Sequence, residues 1–170
     1  AQNVYKRIDK VLEENIETLT YNVEAEEINQ TKNTQITIYA MSMAILEILK
    51  QRGIKPEAAA GLSLGEYSAL TCAGAISLED GAKIVRIRGR LMQELAPNGE
   101  WAMAAIIGLD DDKVEEACIK VKCGFVRAVN YNCPGQVVIS GEKEAVVKAM
   151  EIAKELGARK VIELKTSGPF

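Results

Sequence analysis

The chain has 170 residues, 48% hydrophobic and 26% charged, which is ordinary for a globular protein and enough for one sizeable core or two small ones. Its net charge is −3, without a long basic run, which argues against nucleic acid or an anionic membrane as a partner. No apolar run approaches the roughly 20 residues of a membrane span and no segment resembles a signal peptide, so a cytoplasmic protein is expected.

Cys72, Cys118, Cys123 and Cys133 form no C-x-x-C pair, and the chain has no histidine to complete a mixed zinc site. Reduced thiols that mostly pack as small apolar groups are expected.

In chain order, Val4, Ile8, Val11, Leu12 and Ile16 have helical spacing and predict an amphipathic helix over 2–17. Residues 22–33 read as a loop with a short helical turn. Asn33 or Thr34 can cap a helix over 35–51, ended by Gly53 and apolar nearly all round, hence buried inside something larger. After Pro56, "AAAG" leads to Gly61-Leu62-Ser63-Leu64-Gly65, the G-x-S-x-G pattern of a serine nucleophile on a tight strand-to-helix turn. Three alanines are poor strand formers, so the strand rests on that pattern alone. A helix over 64–72 follows, and Gly74 breaks it. Ser77-Leu78-Glu79-Asp80 reads as a capping box opening a helix that runs to Pro97.

From Trp101 the pattern changes to strand, helix, two strands joined around Pro134-Gly135, helix and strand. The order β-α-β-β-α-β is that of a ferredoxin-like unit. The expected boundaries are 1–99 for an N-terminal part with the serine turn, 100–166 for the ferredoxin-like part, and 167–170 returning toward the first.

The helix at 78–96 carries three arginines. Lys83, Arg86, Arg90 and Glu94 share one side, a solvated charged face. Arg88 lies about 200° from Arg86, among Gly81, Ile84, Val85, Leu91, Met92 and Leu95. A guanidinium there needs an anion, either a structural carboxylate or that of a bound ligand.

A serine nucleophile needs a base, usually histidine. The chain has none, so either the G-x-S-x-G pattern is fortuitous or the chain is part of an enzyme. "GLSLGEYSALTCAGAISLED" resembles the nucleophile segment of the malonyl-CoA:acyl carrier protein transacylases. The likeness continues through "RIRGRLMQE", "GEWAMAAIIGL", "NYNCPGQVVISG" and "SGPF".

The resemblance implies an α/β fold: part of an α/β-hydrolase-like core with an inserted ferredoxin-like (βαββαβ) subdomain. It implies Ser63 as the acylated nucleophile, Leu64 as donor of an oxyanion amide, and Arg88 as the holder of the malonyl carboxylate. Met92 and Asn130-Tyr131-Asn132 match positions near the substrate cleft. Phe170 matches a bulky residue that precedes the catalytic histidine in malonyl-selective relatives. The implied substrates are malonyl-CoA and phosphopantetheinylated acyl carrier protein, with no metal or cofactor, in a monomeric enzyme of fatty-acid synthesis. A polyketide synthase acyltransferase domain is the alternative setting. Leu62 stands where relatives usually have histidine, which bears on fine tuning. Relatives begin with a strand and a G-Q-G-S-Q loop and place their histidine just after a segment like "SGPF", so a fragment inactive by itself is expected.

Overall fold

A computed structural model describes residues 1–94, 100–164, 166, 168 and 170. The chain divides into two compact units, 1–95 and 96–170.

The first unit is helical throughout its described elements: α1 (Gln2–Leu12), α2 (Ile16–Tyr21), α3 (Ala25–Ile28), α4 (Thr31–Gln51), α5 (Leu64–Cys72) and α6 (Leu78–Glu94). The single helix expected over 2–17 is two. Glu13 takes a left-handed conformation (φ 55°) and ends α1. Asn15 then starts α2, its Oδ1 accepting from the Thr18 N–H at 2.8 Å. An asparagine satisfies helix-start N–H groups better than it fits a helix interior, and here that preference overrides the apolar spacing.

Helix α4 starts four residues earlier than expected. Asn33 and Thr34 do not cap it. Asn33 Nδ2 donates to the Glu27 carbonyl at 2.9 Å, and Thr34 Oγ1 donates to the Ile28 carbonyl at 2.7 Å, so both serve the end of α3. The serine half of the capping box expected at α6 is present: Ser77 Oγ accepts from the Asp80 N–H (3.0 Å), and the Asp80 carboxylate meets the hydroxyl itself, Ser77 Oγ donating to Asp80 Oδ2 (2.7 Å). The expected helix end at Pro97 lies outside the described residues. No described helix is long and apolar enough to cross a membrane.

Helices α4 and α6 pack closely because two glycines on α6 leave space. A Cβ on Gly81 would sit 2.1 Å from the Tyr39 hydroxyl, and one on Gly89 would sit 3.0 Å from the Lys32 Cα. Around this seam Ile8, Ile16, Ile36, Tyr39, Ala82 and Val85 are fully buried. Ile38 and Ile45 on α4, by contrast, are half exposed, so α4 is buried along one face and not all round.

Arg86 corrects the sequence reading. It is 9% exposed and belongs to the buried face of α6, with Leu78, Gly81, Ala82, Val85 and Gly89. Its guanidinium makes a two-pronged pair with Glu14, through Nε at 3.1 Å and through Nη2. Its Nη1 donates to the Lys32 carbonyl (2.6 Å) and to Asn33 Oδ1 (3.2 Å). Arg90 adds a second cation on Glu14 at 2.8 Å. The buried stripe follows the two glycines, whose missing side chains make that side the close-packed one.

The second unit runs β1 (Trp101–Ile107), α7 (Asp111–Lys120), β2 (Val126–Cys133), β3 (Gln136–Glu142), α8 (Lys143–Glu155), β4 (Lys160–Leu164). It is a mixed α/β unit whose sheet order is β2-β3-β1-β4, with every adjacent pair antiparallel. One face carries Ala102, Ala104, Ile106, Val137 and Ile139, packed with Val114 and Ala117 of α7 and Val146 and Ala149 of α8. The other carries Met103, Ala105 and Val138, with Leu164 and Phe170 against them.

The four cysteines are free thiols, but only Cys118 is buried, and Cys133 is exposed. Burial pushes the Cys118 thiol up to about 11. At neutral pH a thiol reagent should therefore modify Cys133 first and Cys118 last, which peptide mapping of a partially alkylated sample checks. Arg86→Ala leaves Glu14 with the exposed Arg90 alone and takes the donor from the Lys32 carbonyl and Asn33 Oδ1, and should cost about 2 kcal/mol of stability; urea denaturation of the variant measures this.

Candidate active site

The serine turn is built by steric exclusion. A Cβ on Gly61 would fall 2.0 Å from the Gly65 carbonyl carbon, so only glycine lets the chain fold back this tightly. Gly65 itself has open space around its missing Cβ. Ser63 has φ 54° and ψ −110°, a conformation costly for a residue with a side chain. That conformation falls on the one serine of a glycine-bounded turn. The strand expected before the turn is absent: residues 54–61 have no strand and are exposed. A strand needs a ladder partner, and the described strands all lie in the second unit.

Leu64 is the first residue of α5. Its N–H has no intrahelical acceptor, and the bonds that close the turn pass it by, from Gly65 N–H to the Leu62 carbonyl (2.9 Å) and from Glu66 N–H to the Ser63 carbonyl (3.3 Å). The amide sits at the positive end of the helix, suited to an anionic oxygen on an acylated Ser63. Leu62 is 70% exposed.

Arg88 Nη2 donates to Ser63 Oγ at 2.8 Å. Its Nη1 donates to Gln35 Oε1 on α4. The guanidinium also lies 5.7 Å from the centroid of the Tyr67 ring, one turn beyond Ser63 on α5. Gln35 Nε2 in turn donates to Met92 Sδ at 3.2 Å. Ser63, Arg88 and Met92 are thus brought together, with Gln35 joining them.

The expected burial of Arg88 is not observed. Arg88 is half-buried, and its neighbours Ile84 and Leu91 are 41% and 48% exposed. The buried side of α6 includes Arg86 and not Arg88, so the environments expected for the two arginines are exchanged. Arg86 has the structural carboxylate. Among the described residues no carboxylate pairs with Arg88, and its charge beside Ser63 is available to a ligand.

Asn130, Asn132 and Phe170 belong to the second unit. Asn130 stands opposite Val138 across the β2–β3 ladder, so it shares the sheet face on which Phe170 packs. Asn132 Nδ2 donates to Gln136 Oε1 at 3.2 Å. Tyr131 is exposed and donates to Glu115 Oε1 at 2.6 Å, which raises the phenol above its ordinary value.

Gln35 and Tyr67 were missed in the sequence. Gln35 carried a usable signal: it is a polar residue one position before Ile36 and four before Tyr39, both fully buried. The expected helix begins at 35, which makes Gln35 its first residue and leaves the preceding turn of α4 out of the pattern.

The Acyl transferase domain family model matches residues 1–166. The chain is 45% identical, over 172 aligned residues and its full length, to a malonyl CoA-acyl carrier protein transacylase of Bacillus subtilis (strain 168), covering 54% of that protein. It is 48% identical over 153 residues to the protein of the same name from Escherichia coli (strain K12), with 89% of this chain and 50% of that protein covered. Among solved structures, a malonyl CoA-acyl carrier protein transacylase from Clostridium perfringens superposes with a TM-score of 0.90 at 44% identity, over 99% of this chain and 54% of that one. A malonyl-transacylase in complex with a type II PKS acyl-carrier protein gives 0.90 at 42% identity, over 99% and 55%. The chain spans about half the length of these relatives.

Proposed function

Because the chain belongs to the acyl transferase domain family, we propose that it carries the nucleophile and the acyl-carboxylate site of a malonyl-CoA:acyl carrier protein transacylase. The observation that carries this reading is the pair formed by Ser63 and Arg88. A strained serine next to a helix N-terminus suits acyl transfer in general. A carboxylate-free guanidinium 2.8 Å from the same oxygen suits an acyl group that ends in a carboxylate.

In this reading Ser63 Oγ attacks the thioester carbonyl of malonyl-CoA and gives up its proton. The Leu64 N–H donates to the oxyanion as the tetrahedral intermediate forms. The carbon–sulfur bond breaks, the coenzyme A thiolate takes a proton, and a malonyl ester remains on Ser63. Arg88 turns its remaining N–H groups to the malonyl carboxylate. The phosphopantetheine thiol of acyl carrier protein then attacks the ester by the same route in reverse and releases Ser63. The base is a histidine by family resemblance, and none is present in these 170 residues. The electrostatics come from the amide and the guanidinium, so the reading requires no metal or cofactor.

The sheet order and the helices on one face support a ferredoxin-like subdomain over 100–166. The glycine-bounded serine turn supports an α/β-hydrolase-like core that includes 1–99.

Two measurements on the intact enzyme test the reading. Ser63→Ala should abolish the malonyl adduct seen by intact-mass spectrometry after mixing with malonyl-CoA; a persisting adduct moves the nucleophile elsewhere. Arg88→Ala should lower malonyl transfer by about 30- to 150-fold, the low end of the cost of breaking a charged pair, because Arg88 is only half-buried. Acetyl-CoA has no carboxylate, so acetyl transfer should fall little or rise. Arg88→Lys should restore only part of the loss, since an ammonium cannot present two parallel donors. Equal losses for both acyl groups would refute the assignment.

A further inference from the structure

Helices α7 and α8 cover one face of the second unit's sheet, and the other face carries the small apolar cluster of Met103, Ala105 and Val138. Trp101 alternates onto that second face with Met103 and Ala105, and Ser140 stands directly opposite Met103 on β3. Trp101 and Ser140 are therefore diagonal neighbours on one face, with Cβ atoms about 7 Å apart. Each has a buried polar atom with no hydrogen-bond partner among the described residues, the indole Nε1–H and the hydroxyl Oγ. Ser140 is 3% exposed. By contrast, the buried Tyr39 hydroxyl has both Thr71 Oγ1 and the Leu78 carbonyl. Trp101 also borders a cavity of about 530 Å³, shared with Leu164 and Thr166, where β1 begins and β4 ends.

Phenylalanine and alanine would fill these two places without stranding a polar group, and an unpaired buried group lowers stability. Two isolated polar atoms on an apolar face suit a ligand that is mostly methylene chain with an amide in it. The indole can only donate, whereas the hydroxyl can also accept. A secondary amide offers both counterparts in one group: a carbonyl oxygen for the Trp101 Nε1–H and an N–H for Ser140 Oγ. We propose that Trp101 and Ser140 form a binding site for an amide of the pantetheine arm, the part that coenzyme A and acyl carrier protein share. The proposal rests on the acyl-transfer reading given above. The cavity beside Trp101 gives the arm its approach, and Met103 and Leu164 meet the methylene segments that flank the amide.

The test uses the intact enzyme with Trp101→Phe and Ser140→Ala, which remove the two polar groups and keep most of the packing. Transfer to acyl carrier protein is followed from malonyl-CoA and from the malonyl thioester of propanethiol, which has no amide. Each variant should raise KM for malonyl-CoA by about 3- to 10-fold, with kcat little changed. For the propyl thioester, kcat/KM should stay within about twofold of the unmodified enzyme. KM for carrier protein is measured in the same variants: a parallel rise places both arms on this site, and a rise for one substrate alone places that arm there. Melting temperatures should hold or increase, because a buried group without a partner has been removed. The variants are read separately, so that either one carries the test if the other fails to fold. Equal losses for malonyl-CoA and the propyl thioester would show that the two groups meet no amide, and the proposal would be wrong. It is equally wrong if KM for malonyl-CoA and for carrier protein is unchanged in both variants. If the unmodified enzyme transfers no malonyl group from either thioester, the acyl-transfer reading falls and this proposal falls with it.

Discussion

The contact on which the first unit depends is the clamp of Arg86 across α6, the α1–α2 turn and the start of α4. One guanidinium satisfies both oxygens of Glu14, the Lys32 carbonyl and the Asn33 side chain. Each of those partners comes from a different local irregularity. Glu14 is available because α1 stops at Glu13 and Asn15 starts a new helix. The Lys32 carbonyl is within reach because Gly89 lets the two helices touch. A buried charge of this kind costs desolvation and contributes most by excluding other arrangements. It fixes the register of α6 against α4.

That register is what makes the candidate site. Two residues after Arg86, Arg88 leaves the packed seam and reaches Gln35 on α4 and Ser63 on the turn before α5. A shift of α6 along α4 by one residue would rotate Arg88 by about 100° and separate it from both. The two arginines therefore divide the work. One is fully paired and holds the scaffold. The other has neutral partners only, and its charge stays open to a ligand. The same division appears in the serine turn, where the close approach of Gly61 to Gly65 supports a strained Ser63.

Much of this was legible in the sequence where a residue type has one physical use. The glycine-bounded serine, the capping box at Ser77 and the alternating strands after Trp101 were each read in place. Helix α5 was found with its bounds as expected, Leu64–Cys72. What failed were inferences that needed knowledge of which side of a helix is covered. Ile84 and Leu91, apolar neighbours of Arg88, are exposed, while the seam beside Leu78 and Val85 is completed by small residues that carry little hydrophobic signal, Gly81, Ala82 and Gly89. The break at Glu13 and the early start of α4 were missed for a related reason: both are set by side-chain bonds to backbone groups of neighbouring turns, which periodicity does not report. Gln35 was lost with that early start.

The most direct test of the account is a crystal structure of the intact enzyme trapped as the malonyl ester of Ser63. The account predicts that Arg88 has left the serine oxygen and makes two parallel N–H···O bonds of about 2.7–2.9 Å to the malonyl carboxylate, with Gln35 still on Nη1. A malonyl carboxylate bound to another cation or lying in solvent, with Arg88 unmoved, would contradict it.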